Sequence, residues 1–398
     1  MKQYVNKRIA VSFIIPLFNG EKYIKSLLNM FGSISKSAGE EYEVEIIFIN
    51  DSPQFPIDED LLYSTDELTI RYHVHSKNKG IHSARITGFN ISTGDYVCFI
   101  DQDDYIGRNY ITSQISALEN KDFVVCNGKN KGRYIYDAIS QNPRNLICLD
   151  SYLRGDNYII SPGQVLIKKS AVPEFWLNNP ICINGADDYM LWFLMLRLNR
   201  SIAFNDEILY LHRYTGGNTS NSITIMHDSG VEVAEVMKNG GIISSKEFNT
   251  IVNHNNEVSK VHFPTNVVVQ DIMDLWMDLM ERGLSVSDTL IKRGIKNVVI
   301  FGMGILGKHL YKQLHDSNIR VSAVIENRKK LVIDGVFSGT YDEFMSNNID
   351  TDAFVITAVN NRSDIINMLK TKYNSCYYYG IDELLWITDE EIDIYSSI

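Results

Sequence analysis

No apolar run in the 398-residue chain approaches the roughly 20 residues needed to cross a bilayer. The run 11–17 is too short for a secretory leader and has no cleavage site, so none is expected. Cysteine is scarce: Cys98, Cys126, Cys148, Cys182 and Cys376 are odd in number, scattered, and never in a C-x-x-C pair. That usage predicts reduced, mostly buried thiols in a cytoplasm rather than a disulfide framework. Cationic excess is missing too. The 38 Lys and Arg face 49 Asp and Glu, giving a net charge of -11. A general nucleic-acid binder needs a cationic face, so no nucleic-acid partner is expected. Internal repeats and low-complexity tracts are absent. The remainder, 44% hydrophobic and 22% charged, is ordinary for a globular protein long enough for two or three domains.

One stretch organises the chain. The apolar run 97–100 stops at three carboxylates, Asp101, Asp103 and Asp104. A short apolar run bounded by turn signals reads as a buried strand. Carboxylates at its end are costly unless a cation sits there. Acid-x-acid suits a hard divalent cation that keeps other positions for water and phosphate. A loop start or helix N-cap uses the same residue types.

Upstream, residues 9–15 read as a strand stopped by Pro16. Residues 42–50 form a second strand, ending in Asn50-Asp51-Ser52-Pro53, and 68–75 a third. Helices are expected from Tyr23 onward and over 80–91. The β-α-β-β-α-β order predicts an α/β fold with a mainly parallel sheet. Its strand ends would bring Pro16, Asn19, Asp51 and the acid cluster to one crevice. Further strands are expected over 121–126 and 163–169, with a hairpin or loop at 128–133. A second acid pair, Asp187 and Asp188, opens an apolar helical run. Helix capping alone explains acids at that position.

Four stretches in this order resemble the motifs of family 2 glycosyltransferases: 14–21, 48–52, 78–80 with Ala84-Arg85, and 94–104. The resemblance runs from about residue 9 to about residue 220. It implies an inverting, metal-dependent enzyme of the GT-A fold, a mixed sheet flanked by helices. The donor, a nucleotide diphosphate sugar and most simply a UDP-sugar, would meet Pro16, Phe18, Asn19, Glu21, Asp51, Arg85, Asp101, Gln102 and Arg213. Asp103 and His212 would hold Mn²⁺ or Mg²⁺, although a lone His also serves as a packed structural residue. Asp188 would be the catalytic base, with Asp187 where the family usually has Glu. The acceptor would be a glycan, a lipid-linked species or a protein. The implied setting is surface polysaccharide or glycoconjugate assembly, in the cytoplasm or at the inner face of the membrane. A non-catalytic sugar-nucleotide sensor and a homo-oligomer both stay open on these residues.

The second half turns helical over 223–292. Val267, Ile272, Leu275, Trp276 and Leu279 make an apolar stripe expected in a core, a domain contact or a dimer. Gly302, Gly304 and Gly307 then stand between a strand and a helix, with Glu326 ending the next strand. This is the spacing of a dinucleotide-binding turn. It predicts a Rossmann-like domain over 293–398, after a transferase domain over 1–225 and a helical linker over 226–292. NAD or another nucleotide there, with chemistry of its own, and a purely structural or regulatory role are both open.

Overall fold

The structure is a computed structural model. It describes residues 8–65, 68–130, 133–136, 142–212, 222–260, 265–327, 332–333, 335–358, 362–385 and 388. The described residues fall into two compact units, one running to Lys260 and the other from Thr265.

The first unit opens with β1 (Ile9–Leu17), α1 (Glu21–Ala38), β2 (Tyr42–Asn50), β3 (Leu68–Val74), α2 (Ile81–Ile91) and β4 (Tyr96–Phe99). Then come β5 (Tyr105–Ile106), α3 (Tyr110–Leu118), β6 (Phe123–Asn130), β7 (Arg133–Tyr134), α4 (Pro143–Leu146), α5 (Leu149–Arg154) and β8 (Val165–Lys168). It closes with α6 (Glu174–Asn178), α7 (Asp187–Arg197), β9 (Ile202–His212), α8 (Ile223–Asn239) and α9 (Ser245–Lys260). The strands form one mixed sheet in the order β3-β2-β1-β4-β8-β6-β9-β5, with β7 paired to β6. The first four strands are mutually parallel, while β8 runs antiparallel to β4 and β6. Continuous apolar strands of this kind are buried on both faces. In β1, residues 11–17 are all buried, and Phe13 packs its ring 4.9 Å from Phe31 of α1.

Pro16 does not stop β1. The strand continues to Leu17, pairing Pro16 with Ile49 of β2. Alternate residues of a strand point their polar groups to the same side, and Ile14 O accepts from Ile100 N on the β4 side. Pro16 shares that side but lies beyond the last β4 partner, Phe99. Its missing N–H therefore breaks no ladder bond.

The second unit contains α10 (Thr265–Glu281), α11 (Val286–Lys292), β10 (Asn297–Phe301), α12 (Ile305–His315), β11 (Arg320–Ile325) and β12 (Phe337–Gly339). It continues with α13 (Tyr341–Ser346), β13 (Ala353–Ile356), α14 (Arg362–Lys370) and β14 (Tyr377–Gly380). Its five strands are all parallel, in the order β12-β11-β10-β13-β14. Alternate residues feed two cores. Val298, Ile300, Val324 and Val355 lie in one, and Val299, Phe301, Ile325, Phe354 and Ile356 in the other.

The expected linker over 226–292 is corrected. Helices α8 and α9 belong to the first unit, and α10 and α11 to the second. Ile272, Leu275, Trp276 and Leu279 are core residues of the second unit. The cysteines need a correction as well: all five are free, but only Cys98 and Cys126 are buried and Cys182 is exposed. Among the described residues no helix is long and apolar enough to cross a membrane.

Candidate active site

Register sets the site. Leu17 of β1 pairs with Asn50 of β2, which pairs with Val74 of β3, so three strands end level. Beside them β4 leads into Asp101 through Ile100. Strand carboxyl ends in an open α/β sheet are where ligands bind.

Asp51 anchors this edge from within. It is 4% exposed. Its Oδ1 accepts from Lys79 N at 2.8 Å and meets His75 Nδ1 at 2.7 Å, and its Oδ2 accepts from Gly80 N at 2.8 Å. Gly80 holds φ +86, a conformation open to glycine, and caps α2. The Asp51 carboxylate thus fixes where α2 begins. Asn50 folds the adjoining turn: its Oδ1 accepts from Ser52 N and Oγ, both at 2.9 Å. Ser52 Oγ in turn accepts from Asn19 N at 2.9 Å, with Asn19 in the left-handed region at φ 49. Phe18 is 49% exposed, an aromatic face at the strand end. Gln102 clamps its backbone, accepting from Phe18 N and donating to Phe18 O at 3.0 Å each. Glu21 is exposed in the first turn of α1.

One turn into α2, Arg85 is 3% exposed. Its Nη1 donates to Asp187 at 2.6 Å and its Nη2 to Asp101 at 2.5 Å. Arg85, a candidate donor contact, ties the acid cluster after β4 to the start of α7. Burial opposes its charge, but Asp187, Asp101 and Asp188 outweigh that and hold the guanidinium protonated. Burial pushes the Asp101 carboxyl up, Arg85 pulls it down, and Asp104 adds to the rise.

Asp188 follows Asp187 in the first turn of α7 and accepts from Tyr189 N at 2.7 Å. Burial and the neighbouring Asp187 push its carboxyl up to about 7, against the pull of Arg85 and the Tyr189 amide. The helix terminus alone would favour the ionised form. Here burial and like charge win, leaving a carboxylate basic enough to take a proton near neutrality.

Asp104 is 1% exposed. It accepts from Ser161 Oγ at 3.0 Å and from the Tyr210 hydroxyl, and it meets His212 Nδ1 at 3.2 Å. Burial pulls His212 down, but the charge and hydrogen bond of Asp104, with Asp101 and Asp103 adding, raise it overall. Among the described residues no three His, Cys, Asp or Glu side chains converge as a preformed metal cluster. The chemistry of the donors still fits a cation. With Nδ1 held by a carboxylate, His212 presents Nε2, the arrangement that orients a metal-binding imidazole. Asp103 is partly exposed beside it and supplies oxygen. A cation held by these two residues would keep other coordination positions for further oxygen ligands. Arg213 lies outside the described residues.

The glycine turn of the second unit is explained mostly by its own fold. Gly302 holds φ +97, and a Cβ at Gly307 would sit 2.0 Å from Gly302 O. Thr357 Oγ1 donates to Gly302 O at 2.7 Å. Glu326, a candidate for a second nucleotide site, accepts from Met303 N at 2.9 Å. Of the three turn glycines, Gly304 alone has open space where a Cβ would be.

Sequence reasoning missed four contributors: Asp104 as the partner of His212, Tyr210 beside it, and His75 with Ser161 holding the acids. Each is a tertiary contact without a local signal.

Comparison with known proteins finds a partial family match. Residues 12–173 match Glycosyl transferase family 2. An uncharacterized glycosyltransferase of Rickettsia felis is 29% identical over 226 residues, covering 54% of this chain and 36% of the relative. The putative glycosyltransferase EpsH of Bacillus subtilis is 28% identical over 120 residues, covering 30% of this chain and 33% of its own. The chain thus spans about a third of the length of these curated relatives. Among solved structures, S. aureus TarS 1-349 in complex with UDP-GlcNAc is similar at a TM-score of 0.42 and 17% identity, over 62% of this chain and 71% of that one. The mannosyltransferase PcManGT from Pyrobaculum calidifontis in complex with GDP-Man and Mn2+ gives 0.44 and 14%, over 72% and 80%. The family match over 12–173 contains Asp51, Arg85, Asp101 and Asp103, and it ends before Asp187 and Asp188.

Proposed function

We propose that the first unit is an inverting glycosyltransferase of the GT-A type, moving a sugar from a nucleotide diphosphate donor to an acceptor hydroxyl. The observation that carries this reading is the Arg85 bridge, which brings Asp187 and hence Asp188 to the acid cluster after β4. The family match over 12–173 and the relatives named glycosyltransferase support sugar transfer.

Phe18 offers its ring to the nucleoside, and Asp51 and Gln102 hold the strand ends that frame it. Asp101 faces the ribose and Asp103 the diphosphate, with Arg213 as a further diphosphate contact. Asp103 and His212 would hold a divalent cation, Mn²⁺ or Mg²⁺, which would supply Lewis-acid neutralisation of the departing diphosphate. Asp188 takes the proton of the acceptor hydroxyl as that oxygen attacks C1 of the sugar. The bond from C1 to the diphosphate oxygen breaks, its electron pair leaves with the nucleotide, and the anomeric centre inverts. No covalent enzyme intermediate forms. UDP is the nucleotide we favour, and surface glycan assembly at the cytoplasmic face of a membrane is the setting, both on the sequence resemblance. The second unit serves this enzyme as a structural or regulatory module: within its glycine turn the Met303 amide already donates to Glu326.

Thermal stabilisation by a panel of UDP- and GDP-sugars with and without Mn²⁺ identifies the donor, since a ligand of the folded state raises the midpoint. With that donor, Asp188→Asn should abolish transfer and leave UDP binding unchanged. Turnover surviving in Asp188→Asn would refute the assignment.

A further inference from the structure

The six residues before α7, 181–186, connect to the candidate base, and side chains from two other helices hold their backbone. Ile181 N donates to His82 Nδ1 of α2 at 3.0 Å. Cys182 N and Ile183 N donate to the two carboxylate oxygens of Glu232 in α8, each at 2.8 Å. Ala186 N donates to Ser229 Oγ of α8 at 2.9 Å, and that hydroxyl donates to Ile183 O at 2.8 Å. Gly185, at φ +141, lets the loop turn; a Cβ there would meet Met226 Sδ of α8 at 2.8 Å. From the other side Asn184 Oδ1 accepts from Ile81 N at 3.0 Å, at the start of the helix that carries Arg85.

Amides that pair with nothing in their own loop must find partners elsewhere. Here the partners are a bidentate carboxylate and a fully buried hydroxyl, Ser229 at 0% exposure. Charge-assisted bonds of the Glu232 kind are about twice as strong as neutral ones. Neither residue touches the acid cluster. Both lie beyond the segment matched to Glycosyl transferase family 2.

We propose that Ser229 and Glu232 of α8 are positioning residues that set where Asp188 stands by holding the loop 181–186. The inference rests on the reading of Asp188 as the base. The α8 helix is thereby part of the catalytic apparatus, and the functional first unit extends past β9 to include it. A carboxylate displaced by about 1 Å from its productive place costs on the order of 10²-fold in rate.

The test uses the full chain carrying Glu232→Ala, Glu232→Gln or Ser229→Ala. It measures UDP release from UDP-glucose and UDP-N-acetylglucosamine with Mn²⁺, UDP affinity by calorimetry, and amide hydrogen exchange of the loop. Glu232→Ala and Ser229→Ala should lower kcat at least about tenfold, with UDP affinity within about twofold of the parent. Exchange should accelerate at the amides of Cys182, Ile183 and Ala186. Glu232→Gln keeps one acceptor oxygen and should fall between parent and Ala, which separates positioning from general loss of fold. Unchanged loop protection in both Ala variants overturns the proposal, as does parental kcat in both. Loss expressed only as weaker UDP binding overturns it too. If Asp188→Asn is inactive while both α8 variants work fully, this inference alone fails. If Asp188→Asn turns over, the base assignment fails instead.

Discussion

Replacing Asp188 by Asn should make the protein more stable where the parent is most active. The parent carboxyl is held up to about 7 in the folded chain, by burial and by Asp187, against an ordinary value of 3.8. For a carboxyl whose folded pKa is raised, the unfolded chain releases the proton first. Stability therefore falls as pH rises from the unfolded value towards the folded one, then levels off. Between pH 5 and 7 that is two units at about 1.36 kcal/mol each, or ~2–3 kcal/mol. Asparagine keeps an oxygen for the Tyr189 amide but cannot ionise, so the variant lacks this decline. The stability difference, Asp188→Asn minus parent, should rise by ~2–3 kcal/mol from pH 5 to pH 8. Urea denaturation followed by hydrogen exchange in β1 and β4 reads the first unit alone, which matters in a chain of two units. A difference that stays constant across this range would refute the reasoning, because the carboxyl would then carry no raised pKa. The same variant should show no transfer at any pH. Gain of stability with loss of turnover would mark Asp188 as a group kept at a cost to the fold.

Removing the guanidinium in Arg85→Met leaves two acids without their shared partner and should cost ~3–5 kcal/mol in the same denaturation assay; Arg85→Lys should recover only part, since one ammonium does not span Asp101 and Asp187 as the fork does. Glu45 is 5% exposed and accepts from Ser12, Arg71 and Thr93, with its carboxyl held low by these donors against burial. Its contribution should be present above the ordinary carboxylate range and fade as pH falls through the depressed value, so Glu45→Gln should destabilise at pH 7 and approach the parent in acid. In the second unit, Gly307→Ala must push against the Gly302 carbonyl and should lower stability by about 1–3 kcal/mol, whereas Gly304→Ala meets nothing and should be near neutral for thermal unfolding.

Much of this site was legible in the chain because its signals are local. The run 97–100 stopping at Asp101 marks a strand end by composition alone, and Asp187 with Asp188 before an apolar helix marks a helix start. The strand-helix-strand order then places the strand ends together. Arg85 was visible as a residue but not in its role: Asp187 lies 102 positions away, and nothing in α2 announces that partner. His212 looked like a single ligand candidate because Asp104, 108 positions earlier, is brought to it only by β5 pairing with β9. The unit boundary fell inside a helical stretch for a similar reason. Apolar periodicity shows that α8, α9 and α10 each bury a face, but not which core receives it. Glu232 and Ser229 gave no warning at all, since they bind backbone amides, which every residue type supplies.

The central claim is that Asp188 acts as the base at the Arg85-linked acid cluster, and the pH dependence of kcat/KM tests it most directly. With a donor found by thermal shift and with Mn²⁺ present, the rate should rise about tenfold per pH unit in acid and level off above an apparent value near 7, where Asp188 ionises. A profile flat from pH 5 to 9, or an acid limb that survives in Asp188→Asn, would contradict the account.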